Sequence, residues 1–159
     1  MNQLLDDSVF LLPIDTLYNI KTIGRIVNIY DGDTLDIVIL LNDIPQRFKV
    51  RLYGIDTPEL HPLKSIFNKN EIISNALNSR NYLLHMITDI DYSENLEYTK
   101  DYIISTLKDC KNLINIEFMG KEKYGRILAK LYKGDICIND ELIRCKLAKP
   151  YFGGNKNTS

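Results

Sequence analysis

The chain has 159 residues, of which 45% are hydrophobic and 26% are charged. This length suits one domain with a single core, and the composition excludes a disordered chain. The formal net charge is −1, so a polyanion would have to be bound by a local basic patch rather than by an overall positive field.

The N-terminal stretch lacks the features of a targeting or membrane segment. It carries Asp6 and Asp7 and has no cluster of Lys or Arg ahead of its apolar residues, unlike a secretory signal. No apolar run approaches the roughly 18 residues that a spanning helix needs. We therefore predict an N-terminal arm over 1–19 and an intracellular (cytoplasmic) protein that does not enter a membrane. The cysteines have no metal-ligand spacing and are predicted to be reduced thiols: Cys110, Cys137 and Cys145.

An antiparallel meander of three strands is predicted for the next part of the chain. The strands cover 20–30, 35–41 and 47–55, which are rich in β-branched residues and show partial alternation. Asn42 and Asp43 supply the turn chemistry for a tight reversal between the second and third strands.

A helical insertion is predicted over 61–111, because apolar residues there recur at helical spacing. The first helix covers about 70–88 and the second about 96–109. The predicted inner faces are Ile73, Leu77, Leu84 and Ile87 on the first helix, and Tyr98, Tyr102, Ile103 and Leu107 on the second.

Strand patterns return after the helical insertion. Strands are predicted over 113–118, 126–132 and 136–138, the last two joined by a hairpin turn. Asn139 is predicted to be the N-cap of a helix over about 140–148.

Together these elements predict an α+β fold. Its centre is a five-stranded Greek-key barrel of the OB type, with helices inserted between strands 3 and 4 and after strand 5. The predicted domain covers 20–152, and 153–159 form a flexible tail.

Two acidic turns at the ends of paired strands predict a cation site. Asp33 opens the second strand and Asp56 ends the third, so antiparallel pairing brings both carboxylates to one end of the barrel. Oxygen ligands of this kind suit Ca²⁺ better than a transition metal. The two histidines, His61 and His85, have no partners at ligand spacing, which argues against zinc.

The residues around these acids indicate phosphodiester chemistry. Glu59 lies three residues after Asp56, where it could orient or deprotonate a water molecule. Arg51 lies on the third strand, and its guanidinium matches a phosphoryl oxygen. A metal, an acid and an arginine together favour attack of water on a phosphodiester. A second arginine, Arg126, follows far along the chain in K-Y-G-R.

The same residues admit plainer interpretations. Each could be a turn former or a solvated surface ion if it is taken alone: Asp31, Asp33, Arg51, Glu59 and Arg126. One strand face carries basic and aromatic side chains at period 2, and it is either a track for a phosphate backbone or an ordinary solvated face. Its residues are Arg47, Lys49, Arg51 and Tyr53. The D-G-D-T turn also resembles the nucleophile loop of the haloacid dehalogenase family, but that fold needs a parallel sheet.

Four stretches in order resemble the staphylococcal nuclease (thermonuclease) family. The stretches are D-G-D-T at 31–34, V-R-L-Y-G-I-D-T-P-E at 50–59, E-K-Y-G-R-I-L-A-K-L-Y at 122–132 and I-N-D-E-L-I-R-C-K-L-A at 138–148. The resemblance covers most of 20–152. Two departures are a longer segment between Glu59 and Lys123 and a lysine, Lys146, where the family usually has glycine.

The resemblance implies a role for each matching residue. Asp33, Asp56 and the carbonyl of Thr57 would ligate Ca²⁺, with Asp31 close behind them. Glu59 would act as general base or organise the water. The residues implied to contact substrate are Arg51 and Arg126 at the scissile phosphate, and Lys123, Tyr124 and Tyr151 elsewhere on the nucleic acid.

The implied activity is calcium-dependent cleavage of DNA and RNA to products with 3′-phosphate ends, by a monomeric endonuclease. The alternative is a non-catalytic nucleic-acid-binding module that keeps the barrel and loses the site. The presence of all five central residues favours the enzyme: Asp33, Arg51, Asp56, Glu59 and Arg126.

Overall fold

A computed structural model of the chain describes residues 20–153. The predicted arm over 1–19 and the tail beyond residue 153 lie outside the described residues. The strands are β1 (Lys21–Ile29), β2 (Thr34–Leu41), β3 (Ile44–Leu52), β4 (Ile55–Asp56), β5 (Ile114–Lys121), β6 (Ile127–Lys133), β7 (Ile136–Cys137) and β8 (Lys149–Pro150), and the helices are α1 (Lys69–Thr88), α2 (Lys100–Cys110) and α3 (Ile138–Arg144).

The five long strands form a closed barrel. Strand β1 pairs antiparallel with β2 and with β5, β2 pairs with β3, and β5 pairs with β6. The barrel closes where β3 and β6 run parallel, with Val50 opposite Ile127 and Leu52 opposite Ala129. This is a mixed, five-stranded barrel with three helices, so the predicted OB-type α+β fold is confirmed.

Local sequence explains the meander. Inward-facing Leu35, Ile37 and Ile39 on β2 are at most 2% exposed, as a half-buried strand with period 2 requires. Asn42 and Asp43 adopt φ values of 51° and 65°, which are the left-handed values of a two-residue hairpin turn. The predicted third strand is interrupted, because β3 ends at Leu52 and a turn precedes β4.

Helix α1 packs against α2, α3 and β1, with Leu84 and Ile87 buried in the core. Helix α2 begins four residues later than predicted because the Thr99 side chain caps it, accepting a hydrogen bond from the Tyr102 backbone N–H at 3.1 Å. Tyr102 was wrongly placed on the inner face. Its side chain is 44% exposed and its ring stacks on Tyr98.

The predicted N-cap role of Asn139 is wrong. Helix α3 begins at Ile138 with Cys137 as its N-cap, so Asn139 lies inside the first turn. Its side chain is buried and accepts a hydrogen bond from Leu131 N at 3.1 Å. It also donates to Tyr53 O at 2.9 Å and to Ala129 O at 3.1 Å. Asn139 therefore binds α3 to the two strands that close the barrel.

Helix α3 ends at Arg144, four residues before the predicted end. Lys146 adopts φ 61°, the left-handed value that ends many helices and that favours glycine. The amides of Leu147 and Ala148 both donate to Leu142 O, at 2.9 and 3.1 Å. The reversal directs the chain into β8, which pairs with β4. No helix within residues 20–153 has the length and apolar character needed to cross a bilayer.

Candidate functional site

The D-G-D-T turn between β1 and β2 is held from both sides. Asp33 N donates to Asp31 Oδ1 at 3.0 Å, which fixes the turn internally. A side chain at Gly32 would place its Cβ 2.6 Å from Ser79 Cβ on α1 and 2.9 Å from Thr57 Cγ2. Helix α1 and the turn after β4 therefore pack directly against the backbone of this glycine.

Asp33 connects the two acidic turns. Its Oδ2 accepts a hydrogen bond from Thr57 N at 3.0 Å, and its Oδ1 accepts one from Thr34 Oγ1 at 3.0 Å. Asp33 is 7% exposed, so these hydrogen bonds compensate the burial of its charge. The structure thus brings together the ends of β2 and β4, as the antiparallel pairing predicted.

Arg51 lies between the two predicted metal ligands. Its Nη2 is 3.1 Å from Asp56 Oδ1 and 3.7 Å from Asp33 Oδ2. Its Cζ lies 5.2 Å from the centre of the Tyr151 ring, within the range of a cation–π contact. With a side chain only 8% exposed, the guanidinium is held in one position among acceptors.

Arg126 reaches the same turn from the other closing strand. Its Nη1 donates to Thr34 Oγ1 at 3.2 Å. Its Nη2 donates to Glu122 Oε2 at 3.0 Å, and its Nε donates to the other oxygen of that carboxylate. The hydrogen bond to Glu122 raises the pKa of Arg126. Glu122 was not singled out from the sequence, although its four-residue spacing from Arg126 was visible there.

Negative charge is concentrated at this end of the barrel. Burial, together with the charges of Asp33 and Glu59, raises the pKa of Asp31 to about 7. Glu59 is exposed at the rim, on the segment after β4. Burial is the main cause of this raised pKa, and the two neighbouring carboxylates add to it.

The donor types near Arg51 suit a hard cation, although the side chains alone do not make a complete ligand set. Within residues 20–153, no group of three or more His, Cys, Asp or Glu side chains is arranged to hold a metal ion. Asp33 and Asp56 flank the same atom, Arg51 Nη2, which lies within 4 Å of an oxygen of each, so the arginine holds the position between them. Two carboxylates suit an oxygen-ligated ion such as Ca²⁺, whose shell can be completed by backbone carbonyls and water.

The remaining predicted residues lie further from this centre. Lys123 and Tyr124 lie near the β5–β6 turn, where the Lys123 ammonium is 5.8 Å from the Tyr124 ring and Tyr124 is 84% exposed. On the strand face considered above, the Arg47 guanidinium is bound by Asp36 at 2.7 Å. Arg47 therefore has a carboxylate partner, as Arg51 has in Asp56 and Arg126 has in Glu122.

The protein is an OB-type barrel with several acids and two arginines gathered at one end. Comparison with known proteins places it in a family. The sequence profile described as staphylococcal nuclease homologue matches residues 49–159. The chain belongs to this family. Asp31 and Asp33 precede the matched range.

A relative is found in an archaeon. The chain is 30% identical over 139 residues to an uncharacterized protein of Methanocaldococcus jannaschii, and the match covers 80% of this chain. The chain spans 58% of that relative's length.

Proposed function

We propose that the protein is a calcium-dependent nuclease that hydrolyses phosphodiester bonds of DNA or RNA and leaves 3′-phosphate ends. One observation carries the proposal. Two arginines that are distant in sequence both contact the D-G-D-T turn, Arg51 through Asp33 and Arg126 through Thr34. A structural ion pair needs one arginine, whereas two arginines and a cation at one point match the charge of a phosphodiester transition state.

Asp33, Asp56 and the Thr57 carbonyl would hold Ca²⁺ in this proposal. Bound there, the ion would add positive charge beside the phosphoryl oxygens. Arg51 is buried and already oriented, so its donors need little reorganisation to bind a phosphoryl oxygen. Asp56 would then give up part of its contact with Arg51 and bind the cation instead.

Arg126 and Glu59 complete the proposed reaction. Glu122 holds Arg126 through two hydrogen bonds, which aims the remaining donors of its guanidinium toward the turn. Glu59 at the rim would orient a water molecule or accept its proton. The water oxygen forms a bond to phosphorus as its proton passes to Glu59, the bond from phosphorus to O5′ breaks, and O5′ takes up a proton from solvent.

The test is hydrolysis of single- and double-stranded DNA and RNA by the purified protein, with Ca²⁺ or with EGTA. We expect cleavage in Ca²⁺ only. Glu59→Gln and Arg126→Ala should each lower the rate by at least about 10²-fold and leave the fold intact, since each removes a transition-state interaction. Arg144→Ala is a matched control, because this arginine on α3 is exposed and ion-paired to Glu141. Wild-type rates in either site variant would refute the mechanism.

The alternative, a non-catalytic nucleic-acid-binding module, predicts binding without cleavage in the same assay. The domain bounds of 20–152, the enlarged helical insertion, the monomeric state and the intracellular location stay predictions. Gel filtration of the whole chain tests the monomeric state.

A further inference from the structure

A short loop beside the candidate site exposes apolar side chains. It joins the segment after Glu59 to α1, and we call residues 63–67, L-K-S-I-F, the apolar loop. Ile66 N donates to Leu63 O at 3.1 Å, which closes a turn at its tip. Pro62 is buried before the loop. The loop is therefore an ordered projection.

The apolar side chains of this loop are unusually exposed. Phe67 is 93% exposed, Leu63 73% and Ile66 39%. Single exposed apolar residues are common on protein surfaces, but a local concentration marks an interaction surface. None of the three belongs to the hydrophobic core of the described residues or to the side chains packed against it.

The charges around the apolar loop favour a polyanion with flat apolar groups. Lys64 lies within the loop and Lys69 follows it, both exposed, and the nearest acids in the sequence, Glu59 and Glu71, lie outside the loop. An exposed aromatic ring between lysines matches a nucleic-acid strand, whose bases stack on aromatic rings while its phosphates attract cations.

The position of the loop points to the same partner. Leu63 and Phe67 lie four and eight residues after Glu59, so a fully extended chain would place them at most about 14 and about 28 Å away. A strand bound at the two site arginines can therefore reach the loop within a few nucleotides of the scissile phosphate.

We propose that the apolar loop binds unpaired nucleobases that flank the cleaved phosphodiester. Phe67 stacks on a base, Leu63 and Ile66 widen the apolar surface, and the two lysines face neighbouring phosphates. The inference rests on the proposed nuclease function.

The test compares a base-bearing single strand with an abasic strand of the same length. Both carry a hydrolysis-resistant phosphorothioate backbone, and binding to the full chain is measured by fluorescence anisotropy in Ca²⁺ and in EGTA. Phe67→Ser should weaken binding of the base-bearing strand about tenfold, within the range found for loss of one stacked base. It should change binding of the abasic strand less than about twofold, since the phosphate contacts are kept.

Leu113→Ser is the matched control. Leu113 is 70% exposed and lies just before β5, away from the apolar loop in sequence. Its replacement should leave both affinities unchanged. Circular dichroism of each variant checks that the fold is intact.

Two results would overturn the inference. One is a Phe67→Ser variant that loses affinity equally for both strands or loses none. The other is Phe67-dependent binding to anionic lipid vesicles with unchanged strand affinity, which would assign the loop to a membrane surface. Failure of the nuclease proposal would be a separate result. If the protein binds bases through Phe67 but does not cleave, the inference holds for binding and the nuclease proposal fails.

Discussion

Replacing Gly32 with alanine should disturb stability and cation binding together. The added Cβ would lie 2.6 Å from Ser79 Cβ and 2.9 Å from Thr57 Cγ2, both closer than carbon atoms approach in folded proteins. Overpacking of this kind costs about 1–3 kcal/mol. Relief requires α1 or the D-G-D-T turn to move, and that turn carries Asp33.

We expect the unfolding free energy of Gly32→Ala, measured by urea denaturation in EGTA, to fall by about 2 kcal/mol. The stabilisation that added Ca²⁺ gives the wild-type chain should shrink as well, since ligand binding to the folded state adds directly to its stability. Gly134→Ala is the control. Gly134 has φ 60° and open space around it, so its replacement should cost about 1 kcal/mol and leave the Ca²⁺ effect unchanged.

A suppressor sharpens the test. Ser79→Gly removes the nearest atom, so the double variant should lose less stability than the sum of the two single variants, with a coupling of about 1 kcal/mol. A loss below about 0.5 kcal/mol in Gly32→Ala, with an unchanged response to Ca²⁺, would refute the claim that α1 positions the turn.

Three further predictions concern stability. The pKa of Asp31 is raised from 3.8 to about 7, so in EGTA the folded state binds the proton more tightly than the unfolded state, and stability falls as pH rises between those values. The Asp31→Asn variant has no carboxyl to titrate at this position. Its unfolding free energy relative to wild type, measured by urea denaturation, should therefore rise from pH 4 to pH 8. Asn139→Leu, which leaves buried backbone groups without partners, should cost about 2–5 kcal/mol, whereas Asn70→Leu, at an exposed position in the first turn of α1, should cost under about 0.5 kcal/mol. Lys146→Gly should raise the unfolding free energy by about 1 kcal/mol, because φ 61° favours glycine, and a lower melting temperature in that variant would contradict the assignment.

The sequence predicted those parts of the fold that local chemistry determines. Asn42 and Asp43 identified the hairpin, and the alternation around Leu35 identified its strand, because turn residues and period 2 act within a few positions. The antiparallel pairing of β2 with β3 accounts for the position of Arg51 opposite Thr34. Asp56 lies beyond the turn that interrupts the predicted third strand, and the hydrogen bond from Thr57 N holds that segment near Asp33.

Long-range partners were less accessible from the sequence. An asparagine is suited both to capping a helix and to bridging buried backbone groups by hydrogen bonds. Only the contacts of Asn139 with Leu131 and Tyr53 show that it has the second role. The support of Gly32 by Ser79 is equally invisible, since nothing in either residue indicates the other. Thr99 is different, because its capping preference was present in the sequence and would have corrected the start of α2.

The parallel pairing of β3 with β6 also has a consequence for folding. It joins Val50 to Ile127, so both α1 and α2 lie within the loop that it closes. Contacts of such large sequence separation carry a high closure entropy and form slowly. Arg51 lies within this pairing, opposite Leu128, and Arg126 directly precedes it, so the two arginines come together only when the barrel closes. We therefore expect the electrostatic centre of the molecule to form late in folding, and partly folded chains with an intact meander to lack it.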